Sequence, residues 1–273
     1  MTRKGHVTLE ATPSELLEHL TPLLSASPLV LLLDYDGTLQ QIAPTPDLAR
    51  PDAELLQLLR RLATRPETIV HVISGRPRDV LDSWLGDLPF ALWAEHGFWH
   101  RAGASLEWVA TAPLRAGWRA KVEPIVARFT DATPGSSTEF KSASLSWHYR
   151  LADPEFGRQQ AGELRKQLVT ALRHEPLEAR EGKKVIEVRS RSAHKGLPIR
   201  LILEASGPSA RLIAVGDDTT DEDMFAAIPA HGASVHVGNE PTLANYRLAD
   251  AEAVRQWLNL LIAPVRAQVG PVR

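Results

Sequence analysis

Leu29-Val30-Leu31-Leu32-Leu33-Asp34-Tyr35-Asp36-Gly37-Thr38 is the stretch on which the fold turns. Five consecutive apolar residues read as a strand buried on both faces, the condition of strands in a parallel sheet. The run ends abruptly in two carboxylates spaced i, i+2, followed at once by a glycine and a threonine. Open α/β sheets bind ligands outside the carboxyl ends of their strands. Unpaired carboxylates are too costly to bury as core residues. An Asp-Gly turn explains Asp36-Gly37. It does not explain Asp34, which is still attached to the apolar run.

Two acids this close repel unless a cation sits between them or one of them holds a proton. The first arrangement calls for a hard ion with oxygen ligands, Mg2+ above all. The second calls for a nucleophile beside a general acid. Both are met if a metal-bound carboxylate attacks phosphorus while its neighbour protonates the leaving oxygen.

Further along the chain, Leu212-Ile213-Ala214-Val215 is a second apolar strand, and it runs into Gly216-Asp217-Asp218-Thr219-Thr220-Asp221-Glu222-Asp223. Asp221, Glu222 and Asp223 suit the N-terminus of a helix, where acids favour the dipole. Asp217 and Asp218 follow the strand directly, as Asp34 does. Ile69-Val70-His71-Val72-Ile73 is a third strand, ending in Ser74-Gly75-Arg76, which reads either as a helix N-cap or as a phosphate cradle. Lys195, before the apolar-periodic stretch Leu197 to Leu203, is either solvated surface or a positive charge for phosphate.

Around these motifs, strands near 29–34, 69–73, 90–94 and 212–215 alternate with helices near 51–63, 78–85, 196–204 and 221–227. That alternation predicts a parallel sheet with right-handed crossovers. Thr12-Pro13-Ser14-Glu15 marks a helix start with a Ser or Thr cap. The middle differs, because Thr138 to Arg150 alternates polar and apolar and a charged helix follows from about Pro154 to His174. Residues 104–186 are therefore expected to form an inserted α+β cap over the carboxyl ends of the core strands, with 1–103 and 187–273 as the core.

Asp34-x-Asp36-Gly37-Thr38, Ser74, Lys195 and Gly216-Asp217-Asp218 together resemble, in order, the four motifs of the haloacid dehalogenase superfamily of phosphatases. Ala94-Glu95-His96-Gly97, Glu139-x-Lys141, His148-Tyr149-Arg150, Gly182-Lys183-Lys184-Val185-Ile186-Glu187-Val188 and the string from Gly216 to Phe225 are similar to the trehalose-6-phosphate phosphatase family within it. The resemblance implies a Rossmann-like core with a parallel sheet plus an inserted cap, Mg2+ dependence, and hydrolysis of trehalose 6-phosphate to trehalose. Carried over residue by residue, it makes Asp34 the nucleophile and Asp36 the general acid and then base. Mg2+ would be held by Asp34, the backbone carbonyl of Asp36, and Asp217, with Asp218 reaching it through a water. Ser74 and Lys195 would hold the transferring phosphoryl group, with Arg76 beside it. Asp221 would assist the metal or, with a slight preference, cap its helix. Glu139, Lys141 and Glu187 match the positions that read sugar hydroxyls. His148 and Arg150 match another of the family's cap motifs, and together with Arg76 they are expected to bind substrate as well.

One feature of the cap set is awkward. In an unbroken strand, Glu139 and Lys141 face opposite to His148 and Arg150. A turn near Ser142-Ala143 would bring them to one face, although no glycine is present there. The rival readings are a phosphatase for sucrose phosphate or a glycosyl phosphoglycerate, a mutase that keeps water from the aspartyl phosphate, and a catalytically silent sugar-phosphate sensor.

Composition narrows the remaining classes. Of 273 residues 44% are hydrophobic, enough for one or two compact domains. Lys and Arg number 31 against 33 Asp and Glu, a net charge of −2, which suggests neither nucleic acid nor a membrane surface as partner. There are 0 cysteines, so disulfides and thiolate metal sites are excluded. Met1-Thr2-Arg3-Lys4-Gly5-His6 lacks the apolar core of a signal peptide, and no apolar run reaches membrane-spanning length, so the cytoplasm is the expected setting. A trehalose-6-phosphate synthase is expected as a separate supplier of substrate.

Overall fold

A computed structural model describes residues 7–25, 28–104, 106–113 and 117–263. The stretch Met1 to His6, read above for its missing signal peptide, lies outside the described residues. In chain order the elements are β1 (Leu9–Glu10), α1 (Pro13–Leu24), β2 (Leu29–Leu33), α2 (Ala53–Leu62), β3 (Thr68–Ile73), α3 (Arg78–Leu85), β4 (Ala91–Ala94), β5 (Trp99–Arg101) and β6 (Val109–Ala110). Then come α4 (Trp118–Ala132), β7 (Ser137–Phe140), β8 (Leu145–His148), α5 (Pro154–Ala171), β9 (Leu177–Gly182) and β10 (Val185–Ser190). The chain closes with α6 (Gly196–Ser206), β11 (Arg211–Gly216), α7 (Glu222–Ala227), β12 (Ala233–Val237), β13 (Tyr246–Leu248) and α8 (Ala251–Leu261).

The large sheet runs β1-β13-β12-β11-β2-β3-β4-β5-β6, parallel from β1 to β4 and antiparallel beyond. β2 sits at its centre, buried on both faces as the apolar run predicts. Leu29, Leu31 and Leu33 join the cluster under α1, α2, α3 and α8, with Leu16, Leu59 and Trp257. Val30 and Leu32 join the opposite cluster under α6 and α7, with Ile199, Ile202 and Met224. The two-residue period of a strand thus supplies both faces of the sheet. Strand order reverses between β2 and β11, which is where a ligand crevice opens in such sheets. The expected Thr12 cap is present: its hydroxyl accepts from Glu15 N at 3.3 Å, and the Glu15 carboxylate accepts from Thr12 N at 2.8 Å.

The second sheet runs β7-β8-β10-β9 and is antiparallel throughout. α4 and α5 cover one face around Trp147, Val122, Val126, Leu164, Ile186 and Val188. The other face carries the polar residues and looks onto the carboxyl ends of the core strands. The 104–186 boundaries need correcting at both ends. β6 pairs with β5 in the large sheet, and β10 runs unbroken to Ser190 in the small one. The expected boundary at 186 thus cuts β10, whose pairing with β8 and β9 places the whole strand in the small sheet. Among the described residues no helix is long and apolar enough to cross a membrane.

Candidate active site

Sheet register assembles the acids. Leu33 pairs with both Val215 and Val72, so the residues just beyond β2, β11 and β3 emerge side by side. Asp34 is 3% exposed, Asp217 4% and Asp221 0%, and one carboxylate oxygen from each lies within 4.8 Å of the others. Two glycines make room for them. A Cβ on Gly37 would stand 2.2 Å from the Asp217 carboxyl carbon, and one on Gly216 would stand 2.2 Å from that of Asp221. Gly37 also holds φ at 84°, a left-handed value few side chains tolerate.

Lys195, at the start of α6, answers this charge. Its Nζ donates to Asp34 Oδ1 at 2.6 Å and to Asp221 Oδ1 at 2.7 Å. Burial alone would lower its pKa, yet the Asp221 and Asp34 carboxylates push it well above the ordinary lysine value. Burial drives Asp34 well up against the pull of Lys195. Burial and the neighbouring Asp218 raise Asp217 to about 6. Burial raises Asp221 to about 7 despite Lys195. Three desolvated carboxylates facing one ammonium are short of positive charge, and an all-oxygen donor set fits a hard divalent cation.

Asp221 does not cap α7, which corrects the preference stated for it. Its side chain turns back and accepts from the backbone N of Asp217 at 3.0 Å and of Asp218 at 3.1 Å, besides Lys195. Asp218 is outside the crowded triad and accepts from Thr220 N and Oγ1, both at 2.6 Å. Asp36 is gripped by Arg76, whose Nε and Nη2 donate to its two oxygens at 2.7 and 2.6 Å. Arg76 also donates to Pro46 O at 2.7 Å. Ser74 is fully buried, and its Oγ accepts from Arg76 N at 3.1 Å, which leaves the hydroxyl proton to donate.

The second sheet closes over this floor. The hairpin between β7 and β8 settles the facing problem, because Lys141 N bonds Ser144 O at 3.0 Å without any glycine in the turn. Ser137 then pairs with His148 and Glu139 with Ser146, which sets Glu139 and His148 on one face. Glu139 Oε2 and His148 Nε2 share a hydrogen bond of 3.0 Å. Lys141 Nζ lies between the acids, 3.6 Å from Glu187 and 4.0 Å from Glu139, and donates to Gly75 O at 2.8 Å. Burial opposes ionisation of Glu187, but His96, Lys141 and Arg189 outweigh it and hold the carboxyl well below the usual range. Arg150 reaches Ala43 O at 3.3 Å and Lys183 O at 3.2 Å, bridging the two layers. One cleft is lined by Asp34, Asp36, Lys195 and Asp217 below and by Glu139, Lys141, His148 and Glu187 above.

Sequence reading missed Lys183. It occupies the two-residue turn between β9 and β10, and its Nζ donates to Asp217 Oδ2 at 2.9 Å. A lysine pair closing a hairpin beside Glu187 was the available signal. The roles of Glu95 and His96 were missed as well, although they follow β4 just as Asp34 follows β2. His96 Nε2 lies 2.9 Å from Glu187 Oε2.

A family model described as trehalose-phosphatase matches residues 32–252. The chain is 44% identical over 237 residues to the bifunctional trehalose-6-phosphate synthase/phosphatase of Thermoproteus tenax, covering 86% of this chain and 32% of that protein. It is 32% identical to the trehalose-phosphatase of Saccharomyces cerevisiae, covering 86% and 31%. The chain spans about a third of the length of these curated relatives. The structure of the C. albicans trehalose-6-phosphate phosphatase C-terminal domain superposes with a TM-score of 0.86 at 31% identity, covering 96% of this chain and all (100%) of that one. With the motifs, the two-sheet fold and these matches in agreement, the chain belongs to the trehalose-phosphatase family.

Proposed function

We propose that this protein hydrolyses trehalose 6-phosphate to trehalose and inorganic phosphate. The observation that carries the reading is one cleft with a phosphoryl-transfer floor, Asp34 with Lys195 and Asp217, and a sugar-reading roof, Glu139, Lys141 and Glu187.

This reading assigns the chemistry to these groups in two steps. An Asp34 oxygen attacks phosphorus, the bond from phosphorus to the sugar C6 oxygen breaks, and that oxygen takes a proton from Asp36. Water then attacks the phosphorus of the aspartyl phosphate, Asp36 takes a proton from the water, and phosphate leaves with Asp34 regenerated. Both oxygens of Asp36 accept from Arg76, which suits the base step; in the acid step Arg76 must release one of them. Lys195 neutralises charge at Asp34 and at the phosphoryl oxygens beside it, assisted by Ser74. Asp34, Asp217 and the backbone carbonyl of Asp36 would hold Mg2+, with Asp221 closing the acid cluster. When bound, Mg2+ supplies the positive charge that lets a trianionic centre and a phosphate dianion approach each other. Lys183, which donates to Asp217, lines the same cleft and offers a second positive charge to the phosphate. A trehalose-6-phosphate synthase is the activity needed to supply the substrate, and the name of the Thermoproteus tenax relative joins both activities in one protein.

Phosphate release should be assayed over a panel containing trehalose 6-phosphate, sucrose 6-phosphate and glucosyl phosphoglycerate. The expected result is a clear preference for trehalose 6-phosphate; equal or better turnover of another member would replace it as the substrate. Exhaustive chelation should abolish turnover, Mg2+ should restore it, and Mg2+ should raise the melting temperature of the resting protein. Full activity after chelation removes the metal from the mechanism.

The roof should select the sugar. Glu139→Ala and Glu187→Gln are each expected to lower kcat/KM for trehalose 6-phosphate roughly tenfold to hundredfold, the value of one hydrogen bond to a charged group. Hydrolysis of p-nitrophenyl phosphate, which has no hydroxyls for these carboxylates to read, should fall much less. Parallel losses on both substrates would return these carboxylates to a purely structural role.

A further inference from the structure

Glu95 is a buried acid that the phosphoryl chemistry does not use. It is 2% exposed, and among the described residues it forms no ion pair. Its charge is instead met by the tip of the β7–β8 hairpin, from the other sheet. Oε1 accepts from Ser142 N at 3.1 Å and from Ser142 Oγ in a shorter contact. Oε2 accepts from Ala143 N at 2.8 Å and Ser144 Oγ at 3.2 Å. Trp99 Nε1 donates to Ser142 Oγ at 2.6 Å, and the Ala143 methyl packs into the hydrophobic cluster of the large sheet. The hairpin tip is therefore anchored in the core by a carboxylate, an indole and an apolar contact, while Arg119 of α4 holds its Lys141 and Ser142 carbonyls from the roof side.

The segment that presents Glu95 is held in an unusual shape. Glu95, His96 and Gly97 have φ of 48°, 59° and 93°, and two of the three carry side chains that disfavour the left-handed region. The strain is held by the neighbouring phosphate-side loop, because Glu95 N donates to Arg76 O and His96 N to Ser74 O, both at 3.0 Å. The same segment touches the roof a second time through His96 and Glu187. Lys141 precedes the gripped residues directly and sends its Nζ to Gly75 O.

We propose that Glu95 is a positioning residue: it docks the β7–β8 hairpin on the core and thereby sets Lys141 and Glu139 over Asp34. The proposal rests on the reading of the cleft as a trehalose-6-phosphate site. Withdrawing the hairpin exposes a carboxylate that has four donors in the docked state and, among the described residues, none from the core. Docking is thus a discrete step, with the strained loop as its fixed half.

Two variants test it, Glu95→Gln and the hairpin pair Ser142→Ala/Ser144→Ala. The amide keeps the shape of Glu95 but loses its charge, and it points an NH2 group at backbone donors. Hydrogen exchange of the 137–148 segment is measured in the ligand-free protein, with β2 as an internal control. Each variant should speed exchange of the hairpin by roughly tenfold or more, the equivalent of one lost charge-assisted hydrogen bond, and leave β2 unchanged. Each should lower kcat/KM for trehalose 6-phosphate by about tenfold or more, with a far smaller effect on p-nitrophenyl phosphate. Unchanged hairpin exchange in both variants overturns the proposal, and so do equal losses on both substrates. If Glu95→Gln does not fold by circular dichroism, the serine pair alone decides by the same two readouts. If the parent protein does not turn over trehalose 6-phosphate, the substrate reading fails and the exchange measurement still judges the docking.

Discussion

Asp34→Asn is expected to fold normally and to lose turnover of trehalose 6-phosphate and p-nitrophenyl phosphate alike, by more than about 1,000-fold. Asp34 is the group at the carboxyl end of β2 whose carboxylate meets both Lys195 and the neighbouring acids. The amide is nearly isosteric, so Leu33 keeps its pairing and Lys195 keeps an acceptor. Substitution also thins the crowd of three buried carboxylates, whose mutual repulsion opposes folding when no cation is present. In chelator the melting temperature should therefore equal or exceed that of the parent, the behaviour of a site whose charges serve chemistry at the expense of stability. Substantial hydrolysis by a folded Asp34→Asn protein would remove Asp34 from the nucleophile's place. Loss of p-nitrophenyl phosphate hydrolysis separates this residue from the roof carboxylates, whose variants should keep it.

Lys195→Met is expected to damage stability as well as activity. The ammonium is 2% exposed and makes two short bonds to buried acids, one of them fully enclosed. Removing one side of such a cluster leaves uncompensated buried charge, which costs about 3–5 kcal/mol. In a chain of this size that corresponds to a melting point lower by on the order of 10 °C. The companion substitution Asp221→Asn should recover most of this loss, because it removes the acid that Lys195 neutralises without taking part in the attack on phosphorus. Activity should stay low in the double variant, since Lys195 is still missing from the phosphoryl group. Thermal unfolding of the single and double variants makes the cycle. Additive losses would show that Lys195 and Asp221 act independently and that their 2.7 Å contact carries little coupling.

Much of the core was legible in the chain because its signals are local. Leu29 to Leu33 must be buried on both faces, and an acid directly after such a run must sit at a strand end. The same pattern found Asp217 after Val215-Gly216 and Ser74 after Ile73. Period-2 polarity identified the second sheet, and the opposed facing of Glu139 and His148 would be resolved by a turn near residues 142–143, which the hairpin provides. The errors share one cause. The expected cap boundary at 186 falls within β10, and only pairing with β8 and β9 carries the roof strand on to Ser190. Asp221 has the sequence position of a helix cap, yet the nearness of Lys195, 26 residues away in the chain, turns its carboxylate inward.

By itself, then, the sequence determined the main core strands, the parallel sheet they build and which polar residues stand at the strand ends, because strand burial and terminal acids are written within a few neighbouring positions. Tertiary structure alone decided how charge is shared. Arg76 clamping Asp36, Lys183 reaching Asp217, Asp221 joining the acid triad and Glu95 gripping the hairpin all depend on side chains that meet across sheets. Electrostatic energy depends on distance and on the water excluded between groups, and neither quantity has a signature in the linear order of residues.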